Sequence, residues 1–160
     1  MPGESTLILR VRDARRDDSA ALVRWNAAMA WETEHLWLDQ DTLARGVAAV
    51  FDRPARGRYL VAERDGVAVG GLLLTAEWSD WRNGEFWWIQ SVYVEPAARR
   101  GGVFRALHAE AVRRARDAGA IGLRLYVEAA NARAQATYAG LGMAPCHYQM
   151  YEQTLPRDAR

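Results

Sequence analysis

Apolar residues along the chain change period several times, and each change predicts an element. Residues 7–11 alternate around Arg10 and predict a short first strand. Asp17 or Asp18 is a candidate cap for a helix from Ser19, whose Ala21, Leu22, Trp25, Ala28 and Met29 fall on one face. A second helix starts at Asp39 or Asp41, carries the stripe Leu43, Val47, Val50 and Phe51, and stops at Pro54. Three strands follow, over 59–63, 67–77 and 85–94, with a tight turn at Asp65-Gly66 and a polar-aromatic loop over 78–84. A long helix over 99–118 places Val103, Leu107, Ala111 and Ala115 on one row, and Gly119 stops it. Strand 121–127, helix 131–139 and strand 143–154 complete the pattern, leaving a polar tail at 155–160.

This order predicts an α/β (α+β) single domain over 1–160, its core at about 7–154. A mixed sheet of about six strands would be flanked by about four helices, with one parallel crossover over 85–127. The chain's 160 residues leave no room for a second domain of ordinary size. Half of them are apolar and 26% charged, which excludes a disordered chain. With 21 basic and 20 acidic residues the net charge is +1, which argues against a nucleic-acid partner held by bulk charge. Every formal side-chain cation at neutral pH is Arg; there is no Lys. One cysteine excludes an internal disulfide. Neither the short apolar run at 7–9 nor the glycine-broken run at 66–76 has the length of a leader or a membrane span. A soluble cytoplasmic protein is expected.

The chemistry concentrates where the third central strand meets the long helix: Val92, Tyr93, Val94, Glu95, Pro96, then Arg99-Arg100-Gly101-Gly102-Val103-Phe104-Arg105. A helix's first amides lack internal partners and carry partial positive charge. Two glycines let an anion approach the backbone, and three arginines add cationic donors. The segment predicts a phosphate or diphosphate site. It is neither a Walker loop, which needs Lys, nor a dinucleotide fingerprint.

The same segment resembles the acetyl-CoA-binding motif of the GNAT superfamily of N-acetyltransferases, Arg/Gln-x-x-Gly-x-Gly/Ala after a strand ending Val-x-Pro. Arg99 and Gly102 match, and Phe104 stands where a small residue is usual. A later family motif, Asn-x-x-Ala-x-x-x-Tyr-x-x-x-Gly-Phe, is matched by Asn131, Ala134, Tyr138 and Gly142, with Met143 in place of Phe. The resemblance implies a GNAT-like fold whose sheet is splayed between strands 85–94 and 121–127. It also implies acetyl-CoA as donor and a primary amine as acceptor, joined in a ternary complex, with CoA as product. Backbone groups of Val92 and Val94 would hold the pantetheine. Amides along Arg100, Gly101, Gly102, Val103, Phe104 and Arg105, with Arg99 beside them, would hold the diphosphate. Asn131 would bond the cofactor arm and Ala134 leave it space. Tyr138 would donate to the thioester sulfur and act as general acid.

An ammonium must lose a proton before it attacks, since an alkyl amine's pKa lies near ~10.4. The developing oxyanion needs a donor, for which the Val92 amide is the candidate. Acids and Trp faces attract a cation, so Glu34, Glu77, Trp78 and Asp80 are candidates for binding a small cationic acceptor. Glu77 is also a catalytic candidate, and Gln90 a holder of a relay water. A homodimer is common in this family, although no interface stripe is visible. Trp87 and Trp88 are expected on opposite faces of a strand. Cys146 and His147 diverge on the expected last strand, with Cys146 as buried filler, and no metal-ligand spacing is present. The alternatives are a non-catalytic acyl-CoA sensor on the same fold, or an acetyltransferase acting on protein lysines or N-termini.

Overall fold

The computed structural model describes residues 8–157 and divides into two compact units, Met1–Tyr126 and Val127–Arg160. Leu7 of the expected first strand and residues 158–160 of the tail lie outside the described residues.

The first unit carries one five-stranded sheet in the order β1 (Leu9–Asp13), β2 (Arg58–Arg64), β3 (Val67–Ser79), β4 (Gly84–Val94) and β5 (Gly122–Leu125). Neighbours are antiparallel except β4 and β5, which are parallel, as a crossover through a helix requires. Helices α1 (Ser19–Glu34) and α2 (Gln40–Asp52) cover one face, and α3 (Val103–Asp117) covers the other. The row Val103, Leu107, Ala111 and Ala115 is buried, and the first three join Leu60, Leu72, Leu74 and Ile89 in the α3-side core. Leu22, Trp25 and Val47 meet Tyr59 and Val61 in the other. Trp87 packs against the α3-side core while Trp88 turns its ring to Tyr126, at 4.6 Å between centroids.

Four expectations are corrected in this unit. The loop expected over 78–84 shrinks to a turn, because Trp78 and Ser79 pair with Glu85 and Gly84 and extend β3. β5 is shorter than 121–127: its pairing ends with Leu125 opposite Ile89, just before an irregularity in β4. The helix expected from Arg99 begins at Val103, preceded by a one-turn 3-10 helix at Pro96–Ala98. Asp18 occupies the N-cap position of α1 without capping it; its carboxylate takes Arg12 and the Arg15 amide instead.

In the second unit α4 (Ala132–Gly140) is the regular element among the described residues. Residues 143–154 form no strand and are largely exposed, so the described sheet has five strands and not six. Their alternation has no neighbouring strand in this unit, and an unpaired strand does not hold itself in water. Cys146 is exposed, not buried filler.

Candidate functional site

β4 carries the irregularity that shapes the site. Against β3, Leu73 pairs with Ser91 and Leu74 with Ile89, so Gln90 is an extra residue. A bulge of this kind shifts the side-chain alternation by one. Ile89 therefore faces the α3-side core together with Val92 and Val94, while Tyr93 joins the α1–α2 side. The same shift sets the backbone. Glu95 donates its amide to the Val69 carbonyl across the β3 edge, at 2.8 Å. By alternation, the amides and carbonyls of Val92 and Val94 point to the opposite edge. There β5 has already ended, its last paired residue standing opposite Ile89. The two parallel strands are joined over four positions, and β4 runs on past them.

Beyond Val94 the chain turns into α3 through two left-handed residues, Arg100 at φ 63° and Gly102 at φ 79°. Left-handed backbone is rare for a residue with a Cβ, and Arg100 adopts it within the turn that joins the 3-10 helix to α3. Gly102 is the N-cap of α3. No side chain caps this helix, and its first turn holds no acidic residue. Among the described residues the amides of Gly102, Val103 and Arg105 meet no acceptor. A Cβ on Gly102 would meet nothing within 4 Å, so the surface in front of the helix is open. These features suit a diphosphate: donors in a row, positive end of a helix dipole, and room for oxygen to approach. Val103 buries its side chain while its amide stays at the helix head. The Phe104 ring lies 6.3 Å from that of buried His108.

Arg99 has a second task. Its Nε donates to the Val94 carbonyl at 2.9 Å and its Nη2 to Glu32 at 2.8 Å, and its guanidinium lies 5.2 Å from the Tyr93 ring. Tyr93 donates its hydroxyl to the other Glu32 oxygen at 2.7 Å. Burial, and then the bond to Glu32, pushes the Tyr93 hydroxyl up to about 12. Burial alone would raise the Glu32 carboxyl. The bonds from Tyr93 and Arg99 outweigh it and hold the acid below its ordinary value. Trp25 donates its indole N–H to Glu95 at 2.6 Å, tying α1 to the end of β4. Between α1 and the sheet a small cleft is lined by Trp25, Asn26, Met29, Ser91, Val92 and Tyr93. Sequence reasoning missed Asn26 and the bond between Glu32 and Tyr93, because the side that Tyr93 faces depends on the parity shift at Gln90.

The acids chosen from sequence do not form one cluster of open carboxylates. Glu77 pairs with Arg124 at 2.7 Å, and Arg124 lies 3.5 Å above the Phe86 ring. Asp80 accepts the Trp81 amide at 2.8 Å inside the β3–β4 turn. Glu34 ends α1 and is exposed, as is Trp78. Gln90 donates its side-chain amide to Thr75 at 2.9 Å. In the second unit, Asn131 caps α4 by accepting the Ala134 amide at 3.0 Å. Burial raises the Tyr138 hydroxyl above its ordinary pKa, so it stays protonated at neutral pH.

A sequence model of the Acetyltransferase (GNAT) family matches residues 11–143. The chain belongs to that family. It is 41% identical to a possible acetyltransferase of Clostridium difficile of known structure, over 94% of this chain and 99% of that one, with a TM-score of 0.88. An aminoglycoside N-acetyltransferase solved in complex with CoA shares the fold at 14% identity, with a TM-score of 0.76 over 92% of this chain and 95% of that one. A mycothiol acetyltransferase of Nocardia farcinica is 33% identical over 88% of this chain, which spans 46% of that relative's length. Among the described residues no helix is long and apolar enough to cross a membrane.

Proposed function

We propose that this chain moves the acetyl group of acetyl-CoA directly to the primary amine of a small molecule, with both substrates bound together. The open head of α3, beside a strand whose edge groups have lost their partner, carries the reading. Acetyl-CoA supplies an activated acyl group. The chain's own residues bind, orient and move protons. Amides of Gly102, Val103, Phe104 and Arg105, with Arg100 beside them, take the diphosphate. Edge groups of Val92 and Val94 take the amides of the pantetheine in the manner of an added strand. The Val94 carbonyl is engaged by Arg99, so Arg99 must yield part of its bonding when the arm enters. The amide of Val92 is assigned to the acyl oxygen. Asn131 and Tyr138 take the roles their motif implies, the arm and the thioester sulfur.

The names of the mycothiol and aminoglycoside relatives support a small acceptor over a protein side chain. Its amine is placed at the cleft beside Asn26 and Tyr93. Glu34, Trp78 and Asp80, which are exposed, and Glu77, where its pair with Arg124 opens, are assigned to attracting the cationic acceptor. Gln90 has its amide on Thr75, which leaves its carbonyl to hold the water that takes the amine's proton.

The test is thiol release from acetyl-CoA over a panel of small amines, read with a thiol reagent. Release that depends on one acceptor class is expected. Tight CoA binding with no release across the panel would overturn transfer and leave a binding protein.

A further inference from the structure

We propose that Arg64, at the end of β2, binds a phosphate of CoA. This rests on the acetyl-CoA reading above. Arg64 stands 37 residues before Gly101 in sequence, yet its Nη2 donates to the Gly101 carbonyl at 3.1 Å. The β2–β3 hairpin brings it there: Arg64 pairs with Val67 across the Asp65-Gly66 turn, and both turn residues have positive φ, at 51° and 80°. Gly101 is shaped for this neighbour. A Cβ at that position would collide with the Arg64 guanidinium, so glycine is what lets the arginine lie against the loop.

The charge of Arg64 is what needs explaining. A guanidinium offers five N–H donors, and the bond to the Gly101 carbonyl uses only one of them. Among the described residues Arg64 makes no ion pair. It stands at the positive end of α3, where a cation is unfavourable unless an anion joins it. Two arginines held against this sheet by acids show the contrast. Arg12 is matched by Asp18 and Glu63, and Arg99 by Glu32. Arg64 therefore gives the loop a side-chain donor set from a second element, able to grip phosphate oxygens in its fork.

Calorimetry on the full chain tests this. CoA binding to the unaltered protein comes first; its absence would sink the acetyl-CoA reading itself. Given binding, Arg64→Gln is expected to weaken CoA about tenfold, and Arg64→Lys by less, since the charge remains but the fork does not. Gly101→Ala keeps every charge and pushes the guanidinium off the loop, so it too is expected to weaken CoA several-fold. The deficit of Arg64→Gln should narrow between about 50 mM and about 0.5 M NaCl, as screening predicts for a charge contact. Dephospho-CoA identifies the phosphate: a deficit kept with it places Arg64 on the diphosphate, and a deficit lost places it on the 3′-phosphate. Wild-type affinity in Arg64→Gln, or a deficit indifferent to salt, would overturn the proposal.

Discussion

Two helices of the first unit face the same physical problem at their heads and treat it in opposite ways. α2 and α3 are of similar length, 13 and 15 residues, and each begins with amides that have no intrahelical acceptor. At α2 the chain supplies the acceptor. Asp39 takes the Thr42 amide at 2.7 Å, and Asp41 adds negative charge in the first turn. At α3 it supplies none: glycine in the left-handed region, no acid, and arginines around it. α4 in the second unit follows the α2 pattern, with Asn131 as its cap. An end closed by the chain serves the fold. An end left open, with glycine and arginines where an acid could stand, is the expected signature of a place kept for a ligand's negative charge.

Gly102→Glu is the strongest way to break this contrast. It adds a carboxylate where the diphosphate is proposed to lie, and a loss of CoA affinity beyond about 100-fold is expected. Gly102→Ala separates charge from strain. A Cβ at φ 79° costs about 1 kcal/mol, so a melting point lower by about 2–4 °C and a modest loss of affinity are expected. A folded Gly102→Glu protein that binds CoA as the parent does would show that the open head is not the ligand's place. Next in size is Tyr138→Phe. Loss of a protonated donor should lower kcat about tenfold and leave acetyl-CoA binding nearly normal; an unchanged turnover would make Tyr138 a packing residue. Arg105→Glu is subtler, because fold and ligand should respond in opposite directions. An acid in the first turn suits the dipole and should raise the melting point by about 1 °C, while CoA weakens about fivefold. Loss of both would show that Arg105 supports the fold alone.

The contrast was legible in the sequence where it depended on neighbours along the chain. Asp39 before Leu43, and Gly101-Gly102 after Val94-Glu95-Pro96, are local signals; α2 starts where its signal puts it, while α3 starts at Val103, four residues after the expected Arg99. The parting of the strands followed from family resemblance, but its physical cause did not. One extra residue at Gln90 stands where the β4–β5 pairing has ended and shifts the alternation that turns Tyr93 toward Glu32, and nothing in the period of residues 85–94 marks it. Arg64 was invisible for a related reason: its neighbour Gly101 is brought to it by the hairpin and the sheet. The pairing of Glu77 was not legible, because its partner Arg124 lies on another strand. The last strand failed because alternation states a preference, whereas a ladder needs a neighbour.

The smallest effect tests the closed end. Asp39→Ala should lower the melting temperature by about 2–4 °C at neutral pH, a cap's ordinary value, with CoA affinity unchanged. The pH dependence shows whether the carboxylate does the capping. Hydrogen bonds from Thr42, hydroxyl and amide, hold the Asp39 carboxyl below its ordinary value in the folded chain. A group depressed on folding stabilises at pH values above its unfolded pKa, here about 3.9, and that contribution fades as pH falls through the folded value. The difference between parent and variant should therefore hold steady from pH ~7 to ~5 and narrow below ~3.9. A constant difference across that range would mean that the neutral acid caps as well as the ion. The α2 head would then owe its closure to hydrogen bonding alone, and charge would cease to distinguish it from the head of α3.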